Sequence, residues 1–311
     1  MKFSNESIPT GHPNPFASVE TADGVRLRYG MWKNDAATCA GTVLVAGGRS
    51  EFMEKYFETI EELLSRGYQV FSFDWRGQGL SQRMLDDSEK GFIQTYEQYL
   101  LDLDAMLRHV VYPLSRPPLI VLAHSMGGHV ALRYAAEREH RLDRLVLTAP
   151  MINIHTGPLP VAMMRRVSQT MVRWGFAQCA VVGSGRHNPF REPFVKNRLT
   201  SDSLRFARTL EQVRENPALS AAKVTYGWLA ATFDSIDILT DEPAAHALDI
   251  PVLIMAAGND RVVCNAAIER FAGKQEHCRI IGIPHAGHEI LQEQDHLRSQ
   301  FWRAFDAFKA C

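Results

Sequence analysis

Short apolar runs recur along this chain, separated by stretches in which apolar residues return every three or four positions. The runs Thr42 to Ala46, Val70 to Asp74, Leu119 to Ala123, Leu145 to Ala149, Val252 to Ala256 and Arg279 to Ile283 have strand length and predict buried strands. Between them, Phe52 to Arg66, Tyr96 to Tyr112, Met126 to Glu139, Asn265 to Phe271 and Asp295 to Lys309 carry helical spacing. Strand and helix in alternation predict an α/β fold whose mostly parallel central sheet is flanked by helices.

The alternation stops after Ala149 and resumes at Ile250. A structureless loop of that length would be exceptional inside a compact domain, so the interval predicts an inserted helical cap. Within it Val161, Met164, Val167, Met171 and Trp174 fall three or four apart, with Arg165, Arg166 and Arg173 on other faces, as in an amphipathic helix. Thr200 or Ser201 can cap a second helix running through Glu215. The expected organisation is a core built from residues 1–150 and 241–311, with residues 151–240 as the cap.

Composition narrows the function classes. At 311 residues, 46% hydrophobic and 22% charged, the chain can bury a large core, which excludes disorder as a whole-chain state. Lys plus Arg (34) nearly balance Asp plus Glu (35), leaving no net field to attract nucleic acid or an anionic membrane. Cys39, Cys179, Cys264, Cys278 and Cys311 are widely spaced and form no CxxC, which fits neither a disulfide framework nor a zinc site. A reducing, cytoplasmic location is the expectation. It agrees with an N-terminal stretch lacking the apolar segment of a signal peptide, and with the absence of any run of ~18 apolar residues.

Candidate chemistry sits at the ends of the apolar runs. Leu119 to Ala123 leads into His124-Ser125-Met126-Gly127-Gly128 and then a helical stretch, which puts Ser125 on an abrupt strand-to-helix turn with small residues two positions away on either side. Ala123 stands where glycine is usual and keeps the steric logic. A serine hydroxyl is a weak nucleophile, so it needs a base within hydrogen-bond reach and a third group to orient that base. Val252 to Ala256 ends in Ala257-Gly258-Asn259-Asp260 and delivers an acid at the sheet edge; Asp234, Asp237, Asp241 and Asp249 follow no such strand. Arg279 to Ile283 ends in Pro284-His285-Ala286-Gly287-His288-Glu289, where His288 is the preferred base and His285 its competitor. HAGHE does not match the zincin pattern, because Pro284 and Gly287 interrupt a helix and Glu289 lies outside the histidine pair. The N–H of Met126, just after the nucleophile, can serve an oxyanion. Gly47-Gly48-Arg49-Ser50-Glu51, after Thr42 to Ala46, offers the second donor from Arg49 or Gly48, with Ser50 available to cap the next helix. Gly47-Gly48 and Gly77-Gln78-Gly79 complete no nucleotide-binding fingerprint, and no cofactor is expected.

In chain order, Ser125, Asp260 and His288 resemble the catalytic set of the α/β-hydrolase superfamily, with a cap in its customary place between two late strands. More narrowly, GGRSEFMEKYFETIEELLSRGYQVFSFDWRGQGLSQR, AHSMGG, AGNDRVV and AGHE resemble the bacterial lysophospholipase and monoacylglycerol lipase branch, from Val43 to about Leu291. The cap strings NRLTSD and TYGWL are similar to lysophospholipase members. The resemblance implies Ser125 as nucleophile, Asp260 as acid, His288 as base and Arg49 and Met126 as oxyanion donors, in a two-step ester hydrolysis without metal. Gly47 departs from the histidine or proline of many relatives. Epoxide and haloalkane hydrolases carry aspartate at the elbow, which argues against them here. A small-ester esterase, a carbon–carbon hydrolase, a perhydrolase and a catalytically silent binding protein share the fold, although the last typically lacks a triad member. The expected partner is a small-molecule ester or single-chain lipid. Met163, Met164, Met171, Trp174, Trp228 and Phe233 are expected to line an apolar acyl pocket in the cap, and the cap to touch a membrane surface transiently. Acyl length and oligomeric state stay open at this point.

Overall fold

A computed structural model of the chain describes residues 15–34, 39–157, 159–184, 193–241 and 248–309. Its strands are β1 (Phe16–Glu20), β2 (Arg26–Trp32), β3 (Gly41–Ala46), β4 (Tyr68–Phe73), β5 (Lys90–Gly91), β6 (Leu119–His124), β7 (Arg144–Thr148), β8 (Lys223–Val224), β9 (Val252–Ala257) and β10 (Cys278–Ile283). Eight of them form one sheet in the order β1-β2-β4-β3-β6-β7-β9-β10; β5 and β8 pair separately and tie the cap to the core. The sheet is parallel from β4 to β10, and the expected α/β-hydrolase architecture is the one observed. Every residue of β3, β4, β6 and β9 is buried, as near-continuous apolar runs require when helices cover both faces.

Two strand expectations need correction. The opening hairpin of β1 and β2, which pairs antiparallel with itself and with β4, was not anticipated. Its sequence signal is the turn at Asp23-Gly24, where Gly24 takes a left-handed φ of 78° and the Thr21 carbonyl accepts its N–H at 2.9 Å. The run Arg279 to Ile283 does form a strand, but its residues up to Gly282 are exposed, because β10 is the outermost strand and has a neighbour on one side only.

The helices are α1 (Phe57–Ser65), α2 (Glu97–Ala105), α3 (Met126–Glu137), α4 (Val161–Arg173), α5 (Ser203–Glu215), α6 (Tyr226–Asp241), α7 (Asn265–Ala272) and α8 (Asp295–Lys309). The interval between β7 and β9 carries α4, α5 and α6. Helix α5 is capped by neither Thr200 nor Ser201 but by Asp202, whose carboxylate accepts the N–H groups of Leu204 and Arg205 at 2.9 Å each. Ser50 caps no helix either; its hydroxyl donates to the Ala221 carbonyl at 2.6 Å and so joins cap to core.

The cap helices differ in how they are held. Helix α6 is buried nearly all round and docks on α2 and α3. Trp228 Nε1–H donates to Tyr99 Oη at 3.2 Å, Thr232 meets the Tyr96 hydroxyl at 3.1 Å, and Ser235 meets His129 Nε2 at 2.6 Å. Helix α4 lies on α6, joined by Arg165 to Asp237, and buries only Ser168. Phe233, on α6, is fully buried in the continuous core. Phe233→Ala should therefore lower unfolding stability by about 3–5 kcal/mol, read as a shift of the urea midpoint.

His129 bears on the pH dependence of this docking. Burial, reinforced by the Arg133 charge, pushes its pKa down to about 3 from 6.5, although the Met151 carbonyl favours the protonated ring. As pH falls below 6.5 the unfolded chain takes up this proton and the folded chain does not, so stability is lost progressively toward pH 3. The expected loss is up to about 1.4 kcal/mol per pH unit in that window. His129→Gln should remove that part of the slope when urea midpoints are compared across pH.

Candidate active site

The sheet order makes a crevice before any side chain is considered. From β3 the chain goes to β4 on one side and later to β6 on the other, so the loops after β3 and β6 diverge at their carboxyl ends. Arg49 sits on the first loop and Ser125 on the second. Ser125 takes φ 50° and ψ −114°, a strained conformation for an L residue. Its carbonyl accepts the N–H groups of His129 and Met151 at 3.1 and 3.0 Å, and its own N–H donates to Thr148 at 3.0 Å. Small flanking residues are needed. A Cβ on Gly127 would stand 2.5 Å from the Gly47 carbonyl oxygen, and Ala123 is fully buried.

Asp260 and His288 arrive on the two loops that follow the paired strands β9 and β10, which run side by side to Ala257 and Ile283. Gly258 N–H to Ile283 and Asn259 N–H to Ala286, 2.9 Å each, lace these loops together. His288 Nδ1 lies 2.7 Å from Asp260 Oδ2, and His288 Nε2 lies 2.9 Å from Ser125 Oγ. Asp260 Oδ1 accepts from Val262 and Val263 at 2.7 and 2.9 Å. Burial works to raise the Asp260 pKa, but the His288 ring and those two amides outweigh it and hold the carboxyl below its ordinary value. An ionised carboxylate only accepts, so Nδ1 carries the imidazole hydrogen and the Nε2 lone pair faces the serine hydroxyl.

The competing residues lie elsewhere. His285 is exposed, with a left-handed φ of 66°. Asp234 pairs with Gln169, Asp237 with Arg165, and Asp249 lies 3.7 Å from His140; the Asp241 side chain lies outside the described residues. No group of three or more His, Cys, Asp or Glu side chains suited to a metal gathers among the described residues.

The loop after β3 distinguishes its amides. Gly48 packs against Ser125, since a Cβ there would come 3.1 Å from Ser125 Cβ, but its N–H donates to the Glu51 carboxylate. The Ser50 N–H is taken by the Gln78 side chain. The Arg49 N–H between them has no acceptor among the described residues, and neither does that of Met126, which as the first residue of α3 has no preceding turn to bond to.

Behind this loop lies a buried charge network the motifs did not reveal. Glu51 accepts from Tyr56 Oη–H at 2.5 Å and from Lys55 Nζ at 2.7 Å, and Lys55 also donates to Glu289 at 2.5 Å. Burial opposes ionisation of Glu51, yet Lys55 and its other donors pull its pKa down to about 2, while burial and the Glu51 charge push Glu289 up. His124 packs beside His288 with ring centroids 4.7 Å apart and the ring planes tilted by 55°. Burial lowers its pKa to about 4, so it is neutral at pH 7. The local clue was the four-residue spacing of Glu51 and Lys55; their joining to Glu289 was invisible in sequence.

Two cavities meet at Ser125. One is mixed: the Glu51–Lys55–Glu289 network, Arg205, Thr209 and Gln292 line it together with the apolar Leu199, Phe206, Leu210 and Val262. The other is apolar and is lined by Met126, Met151, Ile154, Met164, Val181, Trp228, Leu229 and Val263. Of the six side chains expected to form an acyl pocket, only Met164 and Trp228 reach this wall. Met163 is half exposed and Trp174 is 71% exposed; Met171 is partly exposed and outside both linings, and Phe233 is sealed in the core. Helical spacing identified an apolar face on α4 but not what that face meets.

Comparison with known proteins agrees with this geometry. Residues 37–295 match the family described as serine aminopeptidase, S33 (Hydrolase_4). Lysophospholipase L2 of Escherichia coli is 32% identical over 271 residues, covering 83% of this chain and 76% of that protein. Monoacylglycerol lipase of Mycolicibacterium smegmatis is 23% identical over 291 residues, 92% of this chain and 93% of the relative. A soluble variant of monoglyceride lipase from Saccharomyces cerevisiae superposes with a TM-score of 0.77 at 19% identity, covering 99% of both chains. With an α/β-hydrolase sheet, a strained serine at its crest and a family match across most of its length, the chain belongs to the S33 serine hydrolases of the Hydrolase_4 family.

Proposed function

We propose that the chain hydrolyses carboxylic esters of single-chain lipids, with lysophospholipids and monoacylglycerols as the substrate class, through an acyl-enzyme on Ser125. The observation that carries this reading is His288 hydrogen-bonded on one side to Ser125 and on the other to Asp260, at the meeting point of an apolar cavity and one that carries charged groups. Ser125 Oγ attacks the ester carbonyl as its proton passes to His288 Nε2, and Asp260 stabilises the imidazolium that results. The oxyanion is received by the N–H groups of Arg49 and Met126. Collapse of the tetrahedral intermediate expels the alcohol, which takes its proton from His288. Water, deprotonated by the same ring, then releases the fatty acid, and each step uses groups of the chain and water alone.

The cavity linings favour ester over peptide substrates. An aminopeptidase needs a free carboxylate to receive the α-ammonium group, whereas Glu51 and Glu289 already share Lys55. The acyl chain belongs in the apolar cavity and the leaving alcohol in the one that carries the charged side chains. The cap supplies the contact with the lipid phase. Apart from Leu114, Ile280 and Ile281, every exposed large apolar side chain among the described residues belongs to the cap, Val182, Val195, Leu204 and Trp174 being the most exposed. No helix among the described residues is long and apolar enough to cross a membrane. Cys39, Cys179, Cys264 and Cys278 are all free thiols, which supports a reducing, cytoplasmic setting.

A fluorophosphonate probe should add one equivalent to the wild type and none to Ser125→Ala, read by intact-protein mass spectrometry. Labelling of a folded Ser125→Ala variant would remove the assignment. With p-nitrophenyl esters below their micelle thresholds, kcat/KM should rise from acetate to decanoate, each methylene buried in the apolar cavity contributing up to about 0.8 kcal/mol. A profile that peaks at acetate or butyrate would point instead to a small-ester hydrolase.

A further inference from the structure

The side chain of Arg49 is unlike the other cations at the site. Lys55 is held between Glu51 and Glu289, and Arg205 is held by Glu58, Asp202 and Asp295 at 2.9 Å or less. Arg49 has no carboxylate partner among the described residues, although it lines both cavities beside Ser125. Its Nη1 is buried without a hydrogen-bond partner, and its guanidinium lies 5.3 Å from the Trp228 ring centroid. Burial lowers its pKa, with only the Tyr96 and Tyr99 hydroxyls acting against that, yet a guanidinium starts so high that it stays charged. The indole face recovers part of the cost of desolvating this charge but offers no acceptor for its N–H groups. The fold thus leaves a desolvated positive charge, with donors to spare, next to the nucleophile.

We propose that the Arg49 guanidinium binds the phosphodiester of a lysophospholipid substrate and selects it over the monoacylglycerol of the same acyl chain. The assignment rests on the hydrolase reading of this site. The phosphorus of a 1-acyl lysophospholipid is separated from its ester carbonyl carbon by as many bonds as separate the backbone nitrogen of an arginine from its guanidinium carbon. One residue can therefore meet the substrate twice, with its N–H at the carbonyl oxygen and its side chain at the phosphate. A planar guanidinium matches two phosphate oxygens at once, and phosphate supplies both the counter-charge and the acceptors the fold withholds. The monoacylglycerol carries a neutral hydroxyl at that place and supplies no counter-charge.

The test compares wild type, Arg49→Met and Arg49→Lys on 1-acyl lysophosphatidylethanolamine and 1-monoacylglycerol of one acyl length, below their micelle thresholds. The readout is the ratio of the two kcat/KM values within each protein, so that any disturbance of the loop itself cancels. Loss of a charge-assisted contact predicts that the ratio falls by about tenfold or more in Arg49→Met and partly recovers in Arg49→Lys. A second measurement needs only the wild type. An ether-linked lysophosphatidylethanolamine, which has no cleavable ester, should inhibit p-nitrophenyl ester hydrolysis more strongly than the matching monoalkylglycerol. An unchanged ratio in a folded Arg49→Met, or equal inhibition by the two ethers, overturns the proposal. So does inhibition by inorganic phosphate as strong as that by the ether lysophospholipid, which would make this a site for free phosphate. A wild type inert to every ester and unlabelled by fluorophosphonate would sink the hydrolase reading itself; an active wild type whose ratio ignores Arg49 would sink the phosphate assignment alone.

Discussion

The arrangement of this molecule hangs on one strained turn. Ser125 sits at a positive φ because β6 must stop and α3 begin within a single residue, and an L side chain adopts that conformation only where the surroundings over-determine it. Here they do so by contact. The Gly127 backbone presses against the carbonyls of Ala46 and Gly47, and the N–H groups of His129 and Met151 both converge on the Ser125 carbonyl. The strain is thus spread over the ends of β3, β6 and β7. The same close approach brings the Arg49 loop against Ser125, so the strained serine and the unpaired Arg49 and Met126 amides beside it have one physical origin.

Electrostatics complete what packing begins. Glu51 holds the β3 loop through the Gly48 amide while it is itself neutralised by Lys55, and Glu289, next to the base, closes the set. Removing one member of such a buried network would leave a charge without its partner, so the group stands or falls together. Its placement fixes which backbone amide of the loop is left without a partner among the described residues. Gly48 is committed to Glu51 and Ser50 to Gln78, which leaves Arg49.

The cap divides into two parts that sequence alone presents as one. Helix α6 packs into the core, with Trp228 and Ser235 bonded to α2 and α3 and Thr232 to Tyr96, just before α2. Helix α4 is carried on α6 and keeps much of its apolar surface outward. Both helices nonetheless wall the same apolar cavity, α4 through Met164 and α6 through Trp228 and Leu229.

What the sequence by itself determined is what depends on neighbours along the chain. An apolar run ending in a small-residue turn identifies a strand and its carboxyl end, so Ser125, Asp260 and His288 could be placed at strand ends in order, and the α/β architecture with its inserted cap followed from the alternation of periods. Only the tertiary structure decided what those ends meet. Lys55 and Glu289 are bonded across 234 positions, the apolar face of α4 shares its residues between cavity and surface, and Phe233 belongs to the core, not to the pocket. The reason is physical: periodicity records that a side chain leaves water, whereas the identity of the surface that replaces the water is a property of the folded assembly.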